Sequence, residues 1–442
     1  MSLRKPDPGA ASAQSIPEPI PDFGAGSAGL AAEPHPAGRV KHGSFVQLVR
    51  LLAAVSWTTL VCCVINGSQI LGSPLYVISK DYYYAYMSMT KQWFGFLIVT
   101  MTQWFSPTII RISGDASVRG QLVKTKDGRL ETRFPERLVM IANHQLYSDW
   151  LYLWWIAYTS LMHGHVFIIL KESLKYIPVV GPGMMFYGFI FLARNWVKDR
   201  PRMQHRLQKL AKSRHGGPMS GRRGPDSLDP MWLMIYPEGT NLSGNTRKGS
   251  AIWAEKQGIK DFEHLLLPRS TGLEFCLHEL EGTLDWVYDC TVAYEGIPRG
   301  AYGQDIFTLR STYFQGRPAK SVNMYWRRFH VSSIPVPTSS DPSSQEREAF
   351  SNWLLARWKE KETLLEGYAR NGRFPADEGH DSEGGPGSGM TKGAGFIETE
   401  VKLRHWYEIL QIFSVVGAVA AVGVAFVKLW TLLSTILASG RY

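Results

Sequence analysis

The stretch Leu138-Val-Met-Ile-Ala-Asn-His144-Gln-Leu-Tyr-Ser-Asp149-Trp-Leu-Tyr-Leu-Trp-Trp-Ile-Ala157 decides how this chain is read. Leu138 to Ala142 is a short apolar run, as a buried strand would be. Trp150 to Ala157 reads as a helix, with Ser148 in the N-cap position. His144 and Asp149 are five residues apart, and helical neighbours are three or four apart. The two therefore do not share one continuous helix. The spacing predicts His144 in the turn after the strand and Asp149 in the first helical turn, with the turn folding one back toward the other. A carboxylate on one imidazole nitrogen fixes the tautomer, and the other nitrogen can then take a proton from a hydroxyl. The motif offers no nucleophile of its own, so the attacking hydroxyl would belong to a substrate. The plainer alternative is a histidine capping a turn and an aspartate starting a helix.

About ninety residues later a second strand is expected at Met231 to Tyr236, running into Tyr236-Pro-Glu-Gly-Thr240. Ser243 to Gly258 reads as the helix that follows. Gly239 permits close backbone approach, and amides at a helix start can hold a phosphate. An ordinary glycine turn would also fit.

In this order and at this distance, the two elements resemble the PlsC-type glycerophospholipid acyltransferase family. Gly188-Phe-Ile-Phe-Leu-Ala-Arg194 matches that family's second block, which ends in a phosphate-binding arginine. Leu266-Leu-Pro268-Arg269 resembles its fourth block, whose proline lies near the acyl or acceptor site. Phe191 to Trp196, Leu267 to Gly272, Asp285 to Asp289 and Thr291 to Tyr294 look like the eukaryotic lysocardiolipin and lysophosphatidylinositol acyltransferase branch. The matched region runs from about Arg137 to Tyr294.

The resemblance implies an α/β fold: a mostly parallel sheet flanked by helices, with an N-terminal membrane hairpin and a C-terminal membrane helix. Both loops would then lie at the carboxyl edge of the sheet, where such folds bind ligands. It implies an acyl-CoA:lysophospholipid O-acyltransferase with acyl-CoA as co-substrate, no cofactor and no metal. His144 would be the general base and Asp149 its orienter. Arg194 and the Glu238-Gly239-Thr240 loop would hold the acceptor phosphate, Pro268 would lie near the acyl or acceptor site, and Asn143 would fix the turn or the thioester oxygen. Lys171 and Lys175 are further candidates for anionic contacts. Many members carry arginine after Glu-Gly-Thr, and here the position is Asn241. The acceptor could be lysophosphatidic acid, lysophosphatidylinositol or lysocardiolipin. A non-catalytic lipid-binding membrane scaffold is the rival reading, against which an intact His144 and Asp149 argue.

Composition agrees with membrane attachment. Within 442 residues, Leu51 to Ser79, Gln92 to Ile110 and Ile409 to Val427 carry no charge, and each is long enough to cross a bilayer of roughly 30 Å. Tyr82-Tyr83-Tyr84 and Tyr86 lie between the first two stretches, as an interfacial aromatic belt would. Expected segments are a disordered tail at 1–40, membrane helices at 46–110, an acyltransferase domain at 111–371, a disordered linker at 372–397 and a membrane helix at 405–437. Basic residues flanking the apolar stretches place the catalytic domain in the cytosol, most simply on the endoplasmic reticulum, with the mitochondrial outer membrane as an alternative. From Arg194 to Arg223 there are ten Lys or Arg and one acid, Asp199, against a net charge of +10 for the whole chain. No aromatic interleaving accompanies that cluster, which argues against nucleic acid and for anionic lipid headgroups or the phosphates of coenzyme A. The four cysteines have neither disulfide nor zinc spacing, and His278-Glu279 lacks the second histidine of a zinc-protease helix because Gly282 stands there.

Overall fold

The computed structural model describes residues 35–212, 228–339, 342–376 and 397–439. Most of the expected tail and the bulk of the expected linker lie outside these residues. The described residues form ten strands: β1 (Ile109–Gly114), β2 (Leu122–Lys124), β3 (Leu130–Thr132), β4 (Arg137–Ala142), β5 (Val166–Lys171), β6 (Ile190–Leu192), β7 (Met231–Ile235), β8 (Trp286–Tyr294), β9 (Ser321–His330) and β10 (Ile397–Glu400). Eight form one sheet in the order β10-β1-β9-β8-β4-β7-β5-β6, and β2 pairs with β3 separately. The run β8-β4-β7-β5-β6 is parallel, as is β1 with β9, while β8–β9 and β1–β10 are antiparallel. The fold is thus α/β with a mostly parallel sheet.

Residues along β4 alternate between two cores. Leu138, Met140 and Ala142 join one with Trp93 to Val99 and the Asp149–Thr159 helix. Val139 and Ile141 join the other with Leu273 to Leu277 and with Phe350, Leu354 and Trp358. A strand covered on both faces must be apolar at every position, which is why Leu138 to Ala142 reads as an unbroken run.

The two cores correct one expectation. The uncharged 92–110 stretch is not a bilayer-facing helix. It belongs to the Lys80–Phe105 helix, whose Trp93 to Thr100 are all buried within the protein, and Ile109 and Ile110 already belong to β1. It is the helix that covers one face of the sheet. Among the described residues, two helices are long and apolar enough to cross a membrane, Ser44–Ile78 and Trp406–Ile436. The first packs against the Lys80–Phe105 helix as a hairpin and is pinned near both ends. The Arg50 guanidinium donates to the carbonyls of Phe105 and Tyr313. The Asn66 and Gln69 amides donate to the carbonyls of Val179 and Gly183. Those anchors are roughly 28 Å apart along the helix, so its inner face follows the domain while Phe45, Leu48, Leu52 and Val55 stay exposed. At the other end of the chain, Val422, Phe426 and Trp430 are exposed on the Ser414–Ser439 helix.

The linker boundary also shifts. The Ser344–Asn371 helix begins with a Ser343/Glu346 capping box and ends at Gly372. Phe374 beyond it is still buried. Ile397 does not end a linker but begins β10, which adds to the edge of the sheet beside β1.

One buried charge cluster joins that helix to the sheet. Lys361 is wholly buried, and its ammonium lies 2.5 Å from Asp289 Oδ1 on β8. Arg327 on β9 donates through Nε to Asp289 Oδ2 at 2.7 Å. Removing one member of a buried ion pair leaves an uncompensated charge in low dielectric. Lys361→Met is therefore expected to cost on the order of 3 kcal/mol of stability, with Lys361→Met/Asp289→Asn recovering a substantial part. Thermal or urea unfolding in detergent measures both, and an additive double variant would mean that the two groups are not coupled.

Candidate active site

Parallel pairing of β4 with β7 and β8 sets the ends of the three strands side by side. The chain leaving β4 forms the His144 turn, and the chain leaving β7 forms the Glu238 loop. The Asp149–Thr159 helix starts where the spacing predicts, but its cap differs. Ser148 makes no capping hydrogen bond. Instead the Asp149 carboxylate reaches back over the turn. Its Oδ2 lies 2.8 Å from His144 Nδ1 and accepts the amides of Gln145 at 2.7 Å and Leu146 at 3.0 Å. Its Oδ1 accepts the hydroxyl of Tyr294. Surrounded by four donors, the carboxylate acts only as acceptor, so Nδ1 of a neutral His144 carries the hydrogen and Nε2 keeps its lone pair. Asp149 is buried, while the His144 side chain retains 19% exposure, which a proton-accepting nitrogen needs.

Two tyrosines that the sequence reading passed over complete this arrangement. Tyr294, at the end of β8, holds the second oxygen of Asp149. Burial, and then the adjacent Asp149 charge, push its phenol well up, so it remains a donor. Tyr236 stacks on the His144 ring with centroids 4.3 Å apart and planes at 26°. No signal in a single sequence marks either contact, because each is made across the sheet. Burial pushes the Cys290 thiol well up, and the nearby Asp289 and Asp149 charges act in the same direction against Lys361, which makes it a poor nucleophile.

The remaining expected residues divide into two groups. Asn143 is fully buried and its amide is spent on β8: Nδ2 donates to the Val292 carbonyl at 2.9 Å and Oδ1 accepts the Val292 amide at 2.7 Å. It ties the turn after β4 to β8, and its side chain is enclosed there. Glu238 is also turned inward. Its two oxygens accept the His144 and Leu266 amides, each at 3.4 Å. Burial raises its carboxyl to about 8, with those amides and the Lys361 charge opposing the rise. It therefore ties the two loops together rather than facing a phosphate. Pro268 is buried as well. Asn241 is 7% exposed and donates to Gln304, so its side chain does not occupy the place of an exposed arginine.

Arg194, Gly239 and Thr240 do come together at the surface. Arg194 is exposed and donates to the Gly239 carbonyl at 3.3 Å. Its backbone is left-handed at φ 63°, a conformation that costs a non-glycine residue energy. The buried carboxylate of Asp199 supports that turn by accepting the Ala193 and Asn195 amides at 2.8 and 2.9 Å. Gly239 has φ 74°, and a Cβ there would sit 3.9 Å from Arg269 Cδ. Two arginines thus flank one exposed loop, the second of them not among the expected site residues. Ser243 caps the Gly244–Gln257 helix in a capping box with Thr246. Lys175 is tied to Glu172 at 2.6 Å and Lys171 is exposed. A cavity of about 340 Å³ adjoins the catalytic turn, with Gln145, Leu242, Tyr294, Ile297 and Tyr302 among its walls. On its rim, Glu263, His264 and Glu366 lie close enough to share a cation. Arg299 already bridges both glutamates and Arg370 binds Glu366, so this group is satisfied by ion pairing.

Comparison with known proteins agrees with the geometry. The acyltransferase family model matches residues 124–294, and the model for the acyltransferase C-terminus matches 312–390. An uncharacterized acyltransferase of Schizosaccharomyces pombe is 36% identical over 366 residues, 83% of this chain and 93% of that protein. A 2-acyl-1-lysophosphatidylinositol acyltransferase of Saccharomyces cerevisiae is 36% identical over 313 residues, 66% of this chain and 77% of its own. Lysocardiolipin acyltransferase 1 of Danio rerio is 33% identical over 250 residues, 56% of this chain and 55% of its own.

Glu238 makes stability depend on pH. Its folded carboxyl titrates near 8 against an ordinary value of 4.5, so between these values the native state holds more protons than the unfolded chain. Its contribution is full below the ordinary value and is lost as pH rises through the folded one, with a slope approaching ~1.4 kcal/mol per pH unit. Glu238→Gln keeps an acceptor oxygen without the titration and should flatten unfolding free energy across that window. An unchanged slope would assign the pH dependence to another group.

Proposed function

The chain belongs to the acyltransferase family, and from that premise we propose that it transfers a fatty acyl group from acyl-CoA to the free hydroxyl of an anionic lysophospholipid. The observation that carries this reading is the His144–Asp149 pair at the carboxyl edge of the sheet, with Nε2 open and no activated nucleophile beside it. His144 Nε2 takes the proton from the lysophospholipid hydroxyl as its oxygen attacks the thioester carbonyl. The carbon–sulfur bond then breaks, and the imidazolium returns a proton to the departing coenzyme A thiolate. Asp149 keeps the ring in the required tautomer and stabilises its positive charge, with Tyr294 and the turn amides fixing the carboxylate. Such general-base assistance contributes about 10²–10⁴ in rate. Tyr236 stacked on the ring favours the charged imidazolium further.

Arg194 and Arg269, on either side of Gly239, are the groups best placed for the acceptor phosphate. With Asn241 turned inward, no third guanidinium joins them from that loop, which fits a phosphodiester acceptor such as lysophosphatidylinositol or lysocardiolipin at least as well as lysophosphatidic acid. The similarity to a 2-acyl-1-lysophosphatidylinositol acyltransferase over 77% of its length supports the first of these. The hairpin docked along the domain and the exposed C-terminal helix suit a protein embedded in the cytosolic leaflet of the endoplasmic reticulum.

Purified protein given labelled acyl-CoA and a panel of lysophospholipids tests the reading. Transfer to an anionic acceptor is expected, His144→Ala should abolish it, and Asp149→Asn should lose most of the rate. Arg194→Ala should raise the acceptor KM about tenfold or more, as for one lost charge-assisted hydrogen bond, with acyl-CoA saturation little changed. Near-normal turnover in His144→Ala would sink the mechanism.

A further inference from the structure

At the opposite edge of the sheet a smaller cavity, of about 80 Å³, is lined by Lys91, Arg137, Arg206 and Lys209, with Asp229 as the acid among its described walls. A single water needs about 10–15 Å³ of such space, so the cavity has room for a compact polyatomic ion. Arg137 is the first residue of β4, and seven residues of extended chain separate it from His144, roughly 20 Å. This cavity is therefore not part of the candidate active site.

Lys91 is the decisive residue. It is 3% exposed, donates to the Val166 carbonyl at 2.9 Å and lies 3.8 Å from the centroid of the Phe167 ring. Among the described residues it pairs with no carboxylate. An ammonium has three donors, and burying one without a counter-charge is costly. Arg137 is held by the carbonyls of Thr283, Asp229 and Leu210. Arg206 and Lys209 are three apart on one face of the Trp196–Ala211 helix. Four basic side chains stand against one acid around the cavity, an excess that one carboxylate offsets less well than a phosphate group. Tyr84, near the start of the Lys80–Phe105 helix, also lines the space, and tyrosine is enriched at bilayer interfaces.

We propose that this cavity is a second phosphate-binding site, remote from His144, that takes the phosphate group of an anionic ligand against Lys91, Arg206 and Lys209. The phosphate could come from a phospholipid headgroup or from solution. The site does not depend on the reaction at His144.

The test uses the full chain in detergent carrying Arg194→Ala, which weakens phosphate contacts at the catalytic edge. Calorimetric titration is run with inorganic phosphate, with short-chain phosphatidic acid and with short-chain phosphatidylcholine. Saturable binding of phosphatidic acid well above that of inorganic phosphate assigns the site to a lipid headgroup, and equal binding of the two assigns it to free phosphate. Lys91→Met and the surface pair Arg206→Gln/Lys209→Gln should each weaken that binding about tenfold or more, whereas His144→Ala should leave it unchanged. The proposal is overturned if neither phosphate probe binds, if the Arg206/Lys209 variant binds as the parent does, or if His144→Ala abolishes binding.

Discussion

One carboxylate organises the functional edge of this protein. Asp149 sits at the start of a helix, yet its side chain closes the preceding turn by accepting two backbone amides, the His144 ring and the Tyr294 hydroxyl. Those partners come from the turn after β4 and from the end of β8. The carboxylate therefore couples the orientation of the imidazole to the register of two neighbouring strands. Charge-assisted hydrogen bonds of this kind are individually stronger than neutral ones, and in a buried setting each lost partner leaves an expensive gap.

Behind that pair the protein buries more charge than a passive scaffold would need. Glu238 links the His144 turn to the Leu266 segment, and Lys361 lies close enough to influence it while pairing with Asp289. Buried ion pairs are weak evidence for stability, because desolvation offsets most of their attraction. Their effect here is geometric. Lys361 and Asp289 tie the Ser344–Asn371 helix to β8, while Glu238, through the His144 and Leu266 amides, joins the loops after β4 and β7. Asp199 does the same for Arg194, keeping it in a left-handed turn beside Gly239.

The membrane elements follow a similar division of labour. The Lys80–Phe105 helix has a composition close to that of a membrane helix, but its apolar faces are spent on the core above β4. The Ser44–Gly72 helix lies outside it, anchored near both ends, and presents its remaining apolar surface outward. Apolar composition makes the two look alike, and the order of packing separates them.

The sequence by itself determined the local alphabet of the site. Two short runs buried on both faces had to be central strands, the five-residue spacing of His144 and Asp149 required a turn before a helix, and Ser243 to Gly258 read as the helix after the Glu238 loop. Those features depend on neighbours a few residues apart. What only the tertiary structure decided depends on residues 28 to 149 positions away. Asn143 is spent on Val292, and Tyr294 completes the hold on Asp149. Asn241 faces Gln304, and Glu238 points inward because the His144 and Leu266 amides are there to receive it. A side chain's type states what it can bond to, but only the packing of strands remote in sequence determines which partner reaches it first and whether water remains.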